Sequence, residues 1–133
     1  MKILIATALI LNISFAAVVD DYLSSLKEEA LKTNPDFKAF DAKKGEEIFK
    51  SKHLGKKGKE ISCESCHTVN LANAGENIFT GKAIDPLSPK ANPKRLTDTT
   101  EIEKWLKRNF NDVYNREGTA IEKGDVITYI MSK

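Results

Sequence analysis

Cys63-Glu64-Ser65-Cys66-His67 decides the reading of this chain. The C-x-x-C-H spacing sets two thiols on one turn of backbone, at about the separation of the two vinyl groups of a haem, and places an imidazole directly after the second thiol. Thioether bonds from Cys63 and Cys66 would hold the porphyrin, and His67 would lie beneath it as a ligand of the iron. A covalently held group cannot leave, so a small domain can carry it with little surrounding core. Two other readings compete. A zinc site needs four ligands, and the chain offers 2 Cys and 2 His, His53 being the second histidine. A thioredoxin-like redox pair needs a strand before the motif and a βαβ setting, which the sequence does not provide. The motif therefore predicts one covalent haem c on Cys63, Cys66 and His67.

The first residues point to a compartment that suits this chemistry. Lys2 supplies a positive start, residues 3–13 are apolar apart from Thr7 and Asn12, and Ser14-Phe15-Ala16 offers small residues at a cleavage site after Ala16. The apolar run is shorter than the roughly 20 residues of a spanning helix, so a cleaved signal peptide over 1–16 and a periplasmic location are expected. Both cysteines lie in the motif, leaving none for a disulfide. About 117 residues would remain, enough for one domain. The formal net charge of the whole chain is +2, a balance that gives no support for nucleic-acid binding. Lys52, Lys56, Lys57 and Lys59 cluster before the motif, as a solvated loop or as a docking patch for a redox partner.

Helical periodicity dominates the rest. Residues 20–33 carry Tyr22, Leu23, Leu26, Ala30 and Leu31 at helical spacing, and Asn34-Pro35 ends the run. Residues 42–52 form a second expected helix with Ile48 and Phe49 on its buried side. Residues 55–59 read as a glycine-lysine loop, and residues 70–95, with three of the 4 prolines, as an irregular wrapping segment. Asp98 with Glu101 predicts a capping box for a helix burying Ile102, Trp105, Leu106 and Phe110. Thr119 with Glu122 predicts another, for a last helix burying Val126, Ile127, Ile130 and Met131. No segment alternates as a strand does, so the expected class is all-α.

The order helix, C-x-x-C-H, loops, helix, helix resembles class I cytochrome c. In that fold the first and last helices cross, and Gly45-Glu46-Glu47-Ile48-Phe49 resembles the first of them, with the 126–130 segment as its crossing partner. With the signal peptide at 1–16, the chain then divides into a helical extension at 17–41 and a domain at 42–133 that resembles cytochrome c. A class I electron carrier binds the sixth iron position with a methionine before the last helix. Here Met131 lies third from the end and Met1 leaves with the leader, so an open iron, Met131, His53 or another ligand must serve.

A closer resemblance runs from about residue 42 to 130. Thr80-Gly81-Lys82-Ala83-Ile84-Asp85-Pro86-Leu87-Ser88-Pro89, Asn92-Pro93, Arg95-Leu96-Thr97-Asp98, Arg108-Asn109, Arg116-Glu117 and Glu122-Lys123-Gly124-Asp125 resemble the Sphaeroides haem protein family of bacterial cytochromes c. The resemblance implies an asparagine, Asn109, as sixth metal ligand, with Asn111 as the alternative. It implies that the amide caps ferric iron, leaves on reduction, and lets oxygen, nitric oxide or carbon monoxide bind. It also implies electron exchange with a dihaem cytochrome c and a membrane cytochrome b. Family members carry two further cysteines where this chain has Phe110 and Gly118, which predicts a slacker loop over 109–119. The alternative function is an enzyme reducing oxygen, nitric oxide or peroxide, and the sequence offers no specific acid or base for it.

The motif yields a direct test. Wild-type protein should give a haem-stained band on a denaturing gel and the pyridine spectrum of a haem with two thioethers. Cys63→Ala or Cys66→Ala should change that spectrum, and an unchanged one would remove the attachment assignment.

Overall fold

The apolar spacing after residue 18 winds into α1 (Phe15–Thr33) in the computed structural model, which describes residues 15–133. The leader expected over 1–16 lies outside the described residues except for its last two, which open this helix. Val19, Tyr22, Leu26 and Ala30 form its buried stripe and pack against the last helix of the chain. The helix stops before Pro35, where the Asn34 amide still donates to Ala30 O at 2.8 Å.

The second helix, α2 (Ala42–Lys50), begins at Asp41, whose carboxylate accepts from the amides of Lys43 and Lys44. It ends two residues before the expected position because Ser51 turns to extended backbone. Two short antiparallel ladders depart from the all-helical expectation. β1 (His53–Leu54) pairs with β2 (Glu60–Ile61) around the glycine-lysine loop, and β3 (Gly75–Glu76) pairs with β4 (Ala83–Ile84) within the irregular segment. Two-residue strands are too short for alternation to show in a sequence. The motif itself forms the one-turn helix α3 (Glu64–His67).

Asp98 caps α4 (Thr99–Tyr114), accepting from the Glu101 amide at 3.1 Å. The expected box closes on one side only, because the Glu101 carboxylate bonds Lys104 and the Trp105 indole instead. Ile102, Leu106, Phe110 and Val113 are its buried face, whereas Trp105, expected among them, is 40 % exposed. The last helix, α5 (Ala120–Met131), has the complete Thr119–Glu122 box. Val126, Ile127 and Ile130 are buried as expected, and Met131 is 37 % exposed. The described residues thus form an all-α domain, and none of its helices is long and apolar enough to cross a membrane.

α2 and α5 make the most extensive helix contact. Gly45 permits it: a Cβ there would overlap the Asp125 carbonyl and lie 2.9 Å from Tyr129 Cβ. Asp125 also fixes the start of α2, since its carboxylate accepts from the Asp41 amide at 2.7 Å. Burial pushes the Asp125 carboxyl above its usual range, offset in part by that hydrogen bond. Gly45→Ala should destabilise the fold by about 1–3 kcal/mol through overpacking, lowering the melting temperature by several degrees. An unchanged melting temperature would mean the two backbones are free to part.

Candidate haem site

Ser62 and Cys63 lead into α3, where the His67 amide donates to Cys63 O at 3.1 Å and the Thr68 amide to Glu64 O at 3.0 Å. The β3–β4 ladder packs on this turn and holds it from outside. Cys63 and Cys66 are unbonded thiols. Burial, aided by the neighbouring Cys66, pushes the Cys63 thiol up to about 12. A redox dithiol works with a lowered thiol pKa, so this environment is the opposite of a thioredoxin site. Among the described residues no three His, Cys, Asp or Glu side chains group as a metal-ion cluster, which leaves the zinc reading without its donors.

Two adjoining cavities open beside the motif, of about 310 Å³ and about 450 Å³. Cys63, His67, Leu87, Arg95, Trp105 and Asn109 border both, and Cys66 borders the second. Phe49, Ile127 and Ile130 give the first an apolar wall, and Ile61, Phe79 and Ile84 line the second. An apolar slot with two thiols and one imidazole on its wall fits a porphyrin, in donor set as in character.

The His67 ring lies 6.1 Å from that of Phe49, which in turn lies 5.5 Å from that of Tyr129. Burial, reinforced by the charge of Arg95, brings the His67 pKa down to about 4. His67 is therefore the neutral imidazole that iron coordination requires.

Asn109 is half-buried on α4, one turn beyond Trp105, a polar side chain on the stripe of Leu106, Phe110 and Val113. The sequence places it at the head of a loop over 109–119. The helix instead continues to Tyr114, so the connection is only residues 115–119. Helical placement fixes which way each asparagine points. Asn111 sits roughly 200° further round the helix and borders neither cavity. His53 stacks on Tyr114 at 4.0 Å and bonds Ser51, away from both cavities, and Met131 borders neither.

The Phe110 ring packs directly on Gly118, where a Cβ would come within 2.7 Å of Phe110 Cδ2. This stacking occupies the two positions where a cysteine pair was expected. Lys107–Glu117 at 2.9 Å and Arg116–Glu122 at 2.7 Å add ion pairs at the surface, which solvent screens. Sequence reasoning did not place Arg95 at the cavities, and Trp105 borders them and is not packed in the helix core. The turn that brings Arg95 inward depends on Leu96 at φ 60°, for which the sequence carries no marker.

Comparison with known proteins agrees with this geometry. Residues 35–130 match the family model described as a domain of unknown function, DUF1924. Cytochrome c'' of Methylophilus methylotrophus is 39% identical over 100 residues, covering 75% of this chain and 69% of that protein. The cytochrome c-type protein SHP of Cereibacter sphaeroides is 41% identical over 93 residues, 70% of this chain and 71% of that one. The crystal structure of oxidised cytochrome c'' superimposes with a TM-score of 0.78 at 34% identity, covering 88% of this chain and 95% of the other. Oxidised SHP, described as an oxygen-binding cytochrome c, gives 0.70 at 36% identity, covering 90% and 97%. A solution structure of cytochrome c'', concerned with haem-ligand detachment, gives 0.78 over 89% and 95%.

The Phe110–Gly118 contact predicts that Gly118→Ala forces the ring and the end of α4 apart. A loss of about 1–3 kcal/mol is expected on denaturant unfolding. A stability equal to wild type would show that the ring has room to yield.

Proposed function

The chain belongs to the Sphaeroides haem protein family, with cytochrome c'' and SHP, and is a monohaem c-type cytochrome with one covalent haem c; we propose that it carries electrons in the periplasm and binds small diatomic ligands when reduced. The carrying observation is that Asn109 and His67 face the same two cavities from different elements, α4 and α3.

In this reading Cys63 and Cys66 hold the cofactor and His67 is the proximal metal ligand. When bound, the haem would supply one-electron chemistry and a place for oxygen, nitric oxide or carbon monoxide. Asn109 would offer its amide oxygen to the iron in the oxidised state. A neutral oxygen donor is hard, suits ferric iron and holds ferrous iron weakly, so Asn109 would be a poor ligand of the reduced iron. The packing of the Phe110 ring on Gly118 would keep the end of α4, and with it the amide, in place. Phe49, Ile127 and Ile130 keep water from the apolar side. A relative described as oxygen-binding, and another studied for haem-ligand detachment, support the same behaviour here.

The partners proposed are a dihaem cytochrome c and a membrane cytochrome b, with the leader over 1–16 directing export. The lysine loop supports docking: Lys57 Nζ lies 4.2 Å from the Phe79 ring centroid, and Phe79 lines the second cavity. A reductase or peroxidase would call for a free acid or base by the iron. At the first cavity Asp98 caps α4 and Glu101 is bonded to Lys104 and Trp105, and at the second Asp112 faces Arg108 at 3.9 Å, which leaves Asp85 as the acid to test by substitution.

Paired variants test the assignment. Asn109→Val should turn the ferric spectrum high-spin while carbon monoxide still binds the ferrous form. Asn111→Val should leave the ferric spectrum as in wild type. The reverse pattern would make Asn111 the ligand.

A further inference from the structure

Of the side chains that border both cavities, Trp105 is the exposed one. Cys63, His67, Leu87, Arg95 and Asn109 are all partly covered, whereas Trp105 is 40 % exposed. Its indole therefore stands between the shared wall of the site and solvent. Asn109 follows one helical turn later on the same face of α4, with about 5–6 Å between the two Cβ atoms. The ring is held at its edges by surface groups. Nε1 donates to Glu101 Oε2 at 3.1 Å, one turn earlier, and the same carboxylate accepts from Lys104. Lys104 Nζ and the Arg108 guanidinium lie 5.3 Å and 5.4 Å from the indole ring. Each of these contacts is open to water and weak. Together they keep the ring at the cavities, and none is strong enough to fix it there. A ring locked in a close-packed core could not swing, and a ring without partners would not stay in place.

We propose that Trp105 is the gate of the site: its indole, latched by Glu101, sets the rate and the size limit with which small neutral ligands reach the cavities beside Asn109. The proposal rests on the ligand-binding reading above and adds to it a determinant of selectivity. Closed, the indole lets a diatomic pass and hinders a ligand with a longer chain. Opening requires the Nε1 bond to Glu101 to break and the side chain to change rotamer, a fast motion for an exposed residue. Lys104 competes with the indole for the same carboxylate, so the latch is easily released. Asn109 has no part in the latch, and the gate acts on access to the site.

The test follows association with the ferrous holoprotein after flash photolysis, using carbon monoxide, methyl isocyanide and n-butyl isocyanide in turn. Wild-type protein should bind n-butyl isocyanide far more slowly than carbon monoxide. Trp105→Ala should speed all three and flatten the dependence on size, with a gain of severalfold or more for n-butyl isocyanide. Trp105→Phe keeps a ring without the latch, and Glu101→Ala removes the latch alone, so both should fall between. Glu103→Ala, on the solvent side of the same helix, should match wild type. If Trp105→Ala does not accumulate, Trp105→Phe and Glu101→Ala decide. Wild-type rates in the Trp105 and Glu101 variants, or an equal gain for every ligand size, would overturn the gate alone. A wild type that binds no carbon monoxide would overturn the ligand-binding reading and the gate with it, so the two failures are distinguishable.

Discussion

The contact of Gly45 with the Asp125 carbonyl is the constraint on which the other placements depend. Two helices cross there at backbone distance, and Asp125 then ties the first turn of α2 through the Asp41 amide. With that crossing fixed, Phe49 and Tyr129 meet at 5.5 Å, and Phe49 presents its ring to His67 at 6.1 Å. A shift of the crossing would move the aromatic pair and, through it, the wall on which the imidazole rests. Close packing transmits such shifts because the interior has no slack to absorb them.

The site is built from elements of unequal rigidity. α3 is a single turn, too short to be stable alone, and it is held by hydrogen bonds within the motif and by the β3–β4 ladder. α4 is long, capped and packed, and it carries Asn109 as the polar member of an apolar stripe. Between them lies the irregular segment, which brings Leu87 and Arg95 to the cavities. The Phe110 ring on Gly118 packs the end of this helix against the connection to α5 without a covalent clip.

Much of this is legible in the sequence because short-range rules govern it. Capping residues, helical spacing and the C-x-x-C-H motif each act within a few residues, and the four longer helices lie close to their expected positions. The departures come from side-chain contacts that no spacing or capping pattern marks. Trp105 fits the apolar period of α4, and its indole borders both cavities while Nε1 donates to Glu101 at the helix surface. The stretch over 109–119 reads as a loop, whereas burial of Phe110 and Val113 carries α4 to Tyr114. The absence of a cysteine pair suggests a loose loop, and only the folded chain brings the Phe110 ring over Gly118 to fill the gap.

The central claim is that the oxidised iron is closed by Asn109 and the reduced iron is open. Resonance Raman spin-state and coordination markers on the wild-type holoprotein, recorded before and after anaerobic reduction without added gas, test it most directly. The account predicts six-coordinate ferric iron and five-coordinate, high-spin ferrous iron. A ferrous form that stays six-coordinate and low-spin would contradict it.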